Sequence, residues 1–336
     1  MVLKPAKPPT DVTSYRPISL LPIISKILQK LILNRLTKET QFQNWTPEHQ
    51  FGFRKEHSTI QQCHRLSDSI NRALEEREYC SAVFLDISQA FDKVWHPGLL
   101  FKINQTLPPK YYNILKSYLQ QRQLVVTHND ATSLPVHMTS GVPQGSVLGP
   151  FLYIIYTADI PKKKNSTTIS AFADDTAILS RHTNLDIATA NLQAHLDSID
   201  KWTRKWRLKI NENKSTHVTF ALRKGTTPPP QLYFRNNTIP QAETVKHLGL
   251  HFDKRLNWKH HITKTRKHLN LKTRELYWIL GRHSPLSLLN KTLTFWHRDL
   301  NGCSPPSRTT FFSLGIYILA HGLQKTLIFR EPNKIE

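Results

Sequence analysis

Acidic residues are scarce in this chain of 336 residues: Asp plus Glu number 24 against 46 Lys plus Arg, a formal charge of +22. So large a basic excess points to a polyanionic partner, either nucleic acid or an anionic membrane, with a merely soluble basic surface as the alternative. Cysteine is scarcer still, with only Cys63, Cys80 and Cys303. No two of them have metal-ligand spacing, which excludes a zinc knuckle and a disulfide framework and suits a reducing compartment. Long apolar runs are missing as well. The longest, Phe311 to Leu323, is about a dozen residues interrupted by polar positions, whereas crossing a bilayer takes roughly 20. Met1-Val2-Leu3-Lys4-Pro5 lacks the apolar segment of a signal peptide. No internal repeat is visible. A membrane is therefore the weaker explanation of the charge, and nucleic acid the stronger.

The length allows two or three layers or domains and a sizeable core. The basic residues are spread along the chain and interleaved with 7 Trp, 10 Tyr and 15 Phe, which suits a groove that follows phosphates and stacks bases. Residues 1–22 are proline-rich and favour short extended pieces and turns. Ile23 to Glu39 carries Ile24, Ile27, Leu28, Leu31, Ile32 and Leu36, read as the inward face of an amphipathic helix with Lys26, Lys30, Arg35 and Lys38 mostly outward. A loop over Gln50–Thr59 leads to a second helix, capped by Ser58 or Thr59 and running to about Arg77.

Cys80 to Ile87 is almost wholly apolar up to Asp86, and a strand apolar on both faces belongs in the centre of its sheet. Helices are expected over Leu99–Leu107 and Lys110–Gln120, and paired strands over Gln123–His128 and Leu134–Met138. The loop Ser140 to Pro150 opens a further helix. Thr168 to Arg181 alternates apolar and polar residues on either side of Ala173-Asp174-Asp175, which predicts a hairpin with two adjacent carboxylates at its tip. Later come a long helix over Leu185–Trp206, a strand over Thr216–Leu222, a β segment over Val245–Phe252, a basic helix over Trp258–Leu280 and a last helix starting at Ser287.

Two neighbouring carboxylates at a turn are most often turn residues and nothing more. Asp86, at the end of a central strand beside that hairpin, changes the reading. Three acids brought together cannot all ionise without a cation between them. Such a set suits a two-metal site for phosphoryl transfer, and hard oxygen ligands select Mg²⁺.

The residues also carry a resemblance. Ala82-Val83-Phe84-Leu85-Asp86-Ile87-Ser88-Gln89-Ala90-Phe91-Asp92, Gly141-Val142-Pro143-Gln144-Gly145-Ser146-Val147-Leu148-Gly149-Pro150 and Phe172-Ala173-Asp174-Asp175 resemble motifs A, B and C of reverse transcriptases. Tyr15 to Leu21 and Gln50-Phe51-Gly52-Phe53-Arg54 resemble the fingers motifs that precede them. The phrasing is closest to non-LTR retrotransposons of the jockey type and covers roughly Leu3 to Phe295; five motifs in order are a very specific signal.

The resemblance implies an α+β fold, a right-hand polymerase with an antiparallel palm sheet, partial fingers and a partial thumb. Its expected divisions are N-terminally truncated fingers over 1–79, a palm with motifs A to E over 80–255, partial thumb helices over 256–295 and a divergent tail over 296–336. It implies an RNA-directed DNA polymerase acting on an RNA template, a DNA primer and dNTPs, with two Mg²⁺ ions (or Mn²⁺). An endonuclease domain is expected to be absent from this chain. Asp86, Asp174 and Asp175 match the catalytic and metal-binding acids. Phe91 matches the aromatic set against the nucleotide sugar, with a plain core Phe as the alternative. Gln144 and Gly145 match the nucleotide-contacting loop, whose glycines let the backbone approach the duplex. Lys4 (or Lys7) and Arg16 resemble triphosphate ligands, and Arg54 a template contact. Lys214 matches a lysine that protonates pyrophosphate, and Val245 to Phe252 resembles the primer grip. Asp92 is expected to be structural. A catalytically inactive nucleic-acid-binding remnant shares the fold and charge, and an RNA-templated RNA polymerase is a third reading that Phe91 opposes.

Overall fold

A computed structural model describes residues 2–3, 8–11, 14–41, 46–128, 131–162, 166–222, 229–280 and 285. Strands β1 (Val2–Leu3) and β2 (Tyr15–Arg16) form a small antiparallel pair ahead of helix α1 (Ile23–Glu39). Helix α2 (Thr59–Glu75) starts at a capping box. The Ser58 hydroxyl accepts the Gln61 N–H at 3.2 Å, and the Gln61 carboxamide accepts the Ser58 N–H at 2.8 Å, so two orphan donors are satisfied at once. Strand β3 (Tyr79–Asp86) is followed by α3 (His96–Thr106) and α4 (Pro109–Leu119), each with proline in its first turn, where no N–H is missed. Two short antiparallel pairs come next: β4 (Gln123–Leu124) with β7 (Val136–His137), and β5 (Thr127–His128) with β6 (Ala131–Thr132).

The centre of the fold is a four-stranded antiparallel sheet in the order β10-β3-β9-β8, built from β3, β8 (Thr168–Phe172), β9 (Asp175–His182) and β10 (Thr216–Phe220). The apolar strand β3 is inner, as its composition requires. Val83 and Leu85 join the main core with Ile178, Leu196 and Trp202. Phe84 points to the opposite face, where its ring meets His247 at 5.2 Å and Phe252 at 6.5 Å. Helix α5 (Gly149–Thr157) is buried on nearly all sides, which accounts for its unbroken run Phe151-Leu152-Tyr153-Ile154-Ile155. Helix α6 (Leu185–Lys205) packs on β3 and β9. A β11–β12 pair (Tyr233–Phe234, Asn237–Thr238) follows β10. The class is α+β with an antiparallel central sheet, as expected.

The β segment expected over Val245–Phe252 is a hairpin, β13 (Thr244–His247) and β14 (Leu250–Asp253), turned by Leu248 and Gly249 at φ 48° and 86°. Two successive positive φ values close a two-residue hairpin without splaying its strands. In α1 the expected inward face is divided. Leu36 is buried and Ile32 half-buried, but Ile24, Ile27, Leu28 and Leu31 are exposed, and Gln29 is buried in their place.

The chain divides into two compact units, Met1–Leu256 and Asn257–Glu336. In the second, α7 (Lys259–Glu275) and α8 (Tyr277–Leu280) interrupt the single expected helix at Leu276, and α7 has no buried residue. The helix expected from Ser287 and the 296–336 tail lie outside the described residues. Among the described residues no helix is long and apolar enough to cross a membrane.

Candidate active site

The site grows from one turn. Phe172 on β8 pairs with Asp175 on β9, leaving Ala173 and Asp174 to reverse the chain, and Ala173 does so at φ 57°. That is an unusual conformation for a residue with a Cβ, so something must hold it. Gln50 does. Its buried side-chain oxygen accepts the Ala173 N–H at 2.9 Å and the Gly52 N–H at 2.8 Å. The segment around it adds to the edge of β8: Ala171 donates to the His49 carbonyl and Phe51 donates to the Ala171 carbonyl, both at 2.9 Å. A Cβ at Gly52 would sit 2.3 Å from the Ala173 nitrogen, so only glycine allows this approach. Gln62, reaching across from α2, donates to the carbonyls of Ala171 at 2.8 Å and His49 at 3.2 Å. The Gln50–Arg54 motif is thus the scaffold of the acidic turn. The sequence places Gln50 in a motif without showing its bond to Ala173, and Gln62 does not stand out at all; an uncharged glutamine leaves no charge or spacing signal.

The ladder then brings in the third acid. Asp86, the last residue of β3, lies directly opposite Asp175 on β9. Directly opposed residues of an antiparallel pair share a face with Cβ atoms about 4.5–5.5 Å apart, and like charges placed so repel. Asp86 is itself held from the other side. Its N–H donates to Ser215 Oγ at 3.2 Å, and its carbonyl accepts the Asn211 N–H at 2.8 Å. Neighbouring protein strips water from Asp175, and Asp174 and Asp86 repel it, so its carboxyl is pushed up to about 6 although the residue keeps an exposed edge. Asp174 is exposed at the tip and Asp86 half-buried.

Asp86, Asp174 and Asp175 offer only hard oxygen donors and carry surplus negative charge, so the donor set fits a divalent cation such as Mg²⁺. Among the described residues no three His, Cys, Asp or Glu side chains are already closed around a metal position.

The remaining expected residues spread around this centre. Phe91 is half-buried, stacked on Tyr153 with ring centres 4.7 Å apart and met edge-on by Phe53 at 6.0 Å. Tyr153 lies wholly inside, and burial first, then Asp174, raises its hydroxyl above the usual range. Gln144 donates from Nε2 to both carboxylate oxygens of Asp92, at 2.9 and 3.0 Å, and its carbonyl accepts the Ser19 N–H at 2.8 Å. Gly145 adopts φ 96° beside the Ser19 carbonyl, where a side chain would be strained. The other two loop glycines are also required by internal packing. A Cβ on Gly141 or Gly149 would lie 2.8 Å from the carbonyl of Asp92 or Pro143.

Arg54 donates from Nη1 to the carbonyls of Pro47 and Gln50, both at 3.3 Å, so it braces its own loop. Lys214 is exposed in the turn before β10. Arg16 is placed by its backbone, opposite Val2, and Lys4 lies outside the described residues.

Residues 3–252 match the family described as reverse transcriptase (RNA-dependent DNA polymerase). The chain is 43% identical over 304 residues to the probable RNA-directed DNA polymerase from transposon X-element of Drosophila melanogaster, covering 89% of this chain and 33% of that protein. It is 40% identical over 295 residues to the RNA-directed DNA polymerase from mobile element jockey of the same organism, covering 86% of this chain and 32% of that one. The chain thus spans about a third of the length of these relatives. A solved telomerase from Candida tropicalis, in complex with a fragment of telomeric RNA, aligns with a TM-score of 0.47 at 11% identity, over 91% of this chain and 48% of that one. With the family match running from β1 through the acidic hairpin into β14, the chain belongs to the reverse transcriptase family.

Proposed function

We propose that the chain is the RNA-directed DNA polymerase domain of a jockey-type mobile element, extending a DNA primer on an RNA template with dNTPs. The observation that carries this reading is the meeting of Asp86, Asp174 and Asp175 at one end of the central sheet. The proposed division is fingers over 1–79, palm over 80–255 and thumb helices over 256–295; the compact unit ending at Leu256 supports the second boundary.

In the reaction the primer 3′-OH attacks the α-phosphate of the dNTP, a new P–O bond forms, and pyrophosphate leaves. Held by Asp86 and Asp174, with Asp175 behind them, a pair of Mg²⁺ (or Mn²⁺) ions would supply the charge neutralisation that phosphoryl transfer needs. Gln50 keeps the Asp174 turn in its left-handed conformation. Phe91, backed by Tyr153, forms a rigid wall that excludes a 2′-OH and so selects deoxynucleotides. Gln144 and Gly145 line the nucleotide side, Lys4 and Arg16 hold the triphosphate, and Lys214 delivers a proton to the departing pyrophosphate. Arg54 shapes the template side through its loop.

The test is primer extension of oligo(dT) on poly(rA). Asp174→Asn is expected to cut extension by at least about 10²–10³-fold while template–primer binding is kept, because the side chain is exposed at a turn and the substitution keeps its size. Equal extension by the two proteins sinks the proposal.

A further inference from the structure

Asp92 stands outside the three-acid centre, and the sequence suggests only a structural acid there. Its surroundings give it a more particular task. The turn carrying Phe91 and Asp92 is stitched to the glycine-rich loop by backbone: Val142 donates to the Phe91 carbonyl and Gly141 to the Val94 carbonyl, both at 2.8 Å. Across this seam the Asp92 carboxylate receives the Gln144 Nε2 at 2.9 and 3.0 Å. An ionised carboxylate only accepts, so of the two ends of the Gln144 amide only the NH₂ can face it. The Gln144 oxygen is thereby turned away from Asp92 as an acceptor. The main chain of Gln144 is pinned separately, by the Ser19 N–H at 2.8 Å, so the side-chain amide is the part left for Asp92 to orient.

We infer that Asp92 is a positioning residue: it fixes the orientation of the Gln144 amide, and with it the hydrogen bond that Gln144 offers a donor group of the incoming nucleotide. This rests on the polymerase reading above. Because Phe91 and Asp92 are consecutive, one short turn sets both the wall against the sugar and the amide beside it.

The experiment is steady-state incorporation of dTTP on poly(rA)–oligo(dT) by wild type, Asp92→Asn, Gln144→Ala and the double variant. Asp92→Asn offers its own NH₂ as well as an oxygen, so the Gln144 amide loses its single orientation. The expected result is a KM for dTTP raised about 10-fold or more, with kcat within about 3-fold, from loss of a charge-assisted hydrogen bond. In the Gln144→Ala background, Asp92→Asn is expected to add nothing, a coupling that a merely structural acid does not produce. An unchanged KM in Asp92→Asn, or its full penalty persisting without Gln144, overturns the inference while leaving the polymerase reading intact. Should Asp92→Asn fail to fold, Gln144→Glu sets two carboxylates against each other and must raise KM in the same way; a wild-type KM there overturns the inference.

An inert wild type counts against the polymerase reading instead. The inference is then read from the dTTP-dependent gel shift of poly(rA)–oligo(dT) in Ca²⁺ buffer. Loss of that shift in Asp92→Asn supports it. A shift unchanged by the substitution, or absent in wild type, overturns it.

Discussion

The inner strand β3 and helix α1 are both rich in branched apolar residues, and they are treated in opposite ways. In β3 every residue from Cys80 to Leu85 is buried. In α1 Ile24, at 81% exposure, and its neighbours Ile27, Leu28 and Leu31 face outward, while the polar Gln29 turns in. Hydrogen bonding makes the difference. The inward position of α1 meets the loop that opens α5, where the N–H groups of Val147 and Leu148 need an acceptor. The Gln29 side-chain oxygen supplies it at 3.0 and 3.3 Å, and its Nε2 donates to Ser25 Oγ at 3.1 Å. The backbone of β3 is satisfied within its own ladder, so its apolar side chains answer only to water exclusion, and its one buried hydroxyl, on Ser81, meets His217 Nε2 at 2.8 Å. Apolar content locates the core where the backbone has no outstanding demand, and misplaces it where a buried N–H must be met.

The largest expected effect includes the sheet side. His217 on β10 and His247 on β13 are buried, and burial lowers both to about 4. Among the described residues His217 Nδ1 and His247 Nε2 have no hydrogen-bond partner, so protonation would bury an unmet donor. An unfolded histidine titrates near 6.5, so between about 6.5 and 4 the unfolded chain binds more protons than the folded one. The contribution of these two histidines is therefore complete above pH about 6.5 and falls as pH drops toward 4, by up to about 3 kcal/mol per histidine, while the raised Asp175 acts in the opposite sense below about 6. Urea unfolding at pH 7, 5.5 and 4.5 measures the slope. His247→Leu is expected to flatten it, and an unaltered slope would show that His247 is not a source.

The central sheet was legible in the sequence because its signals are local and redundant. The apolar run to Asp86 placed β3 inside, and alternation around Asp174 and Asp175 placed the hairpin. A central strand beside that hairpin joins Asp86 to the pair, and the register sets Asp86 opposite Asp175. What escaped was long-range and polar. Nothing near Gln50 in the sequence announces a bond to Ala173, 123 residues away, and nothing near Asp92 announces Gln144, 52 residues on. The divided face of α1 escaped for the same reason, since it depends on Val147 and Leu148.

A smaller change sharpens the contrast by removing its cause. Gln29→Leu makes α1 more apolar on its inward face, so hydrophobicity alone forecasts stabilisation. The N–H groups of Val147 and Leu148 would instead lose their acceptor, at about 1–3 kcal/mol for each buried group left unsatisfied. A net loss of about 2–4 kcal/mol in urea unfolding is the expected outcome. A gain would mean that burial, rather than hydrogen bonding, decides which face of α1 turns in.

The smallest effect belongs on the outward face, where the reasoning from composition fails most plainly. Ile24→Gln removes a branched apolar side chain from a helix, a change that usually costs several kcal/mol in a core. Here the residue is 81% exposed and has little to lose on leaving water. Glutamine is also a slightly better helix former than isoleucine, because it keeps more rotamer freedom against the preceding turn. Thermal and urea unfolding should therefore place Ile24→Gln within about 0.5 kcal/mol of wild type. A loss above about 2 kcal/mol would mean that Ile24 is covered in solution, and the contrast with β3 would then reduce to one of partners: β3 finds its cover within the fold, and α1 would find it outside.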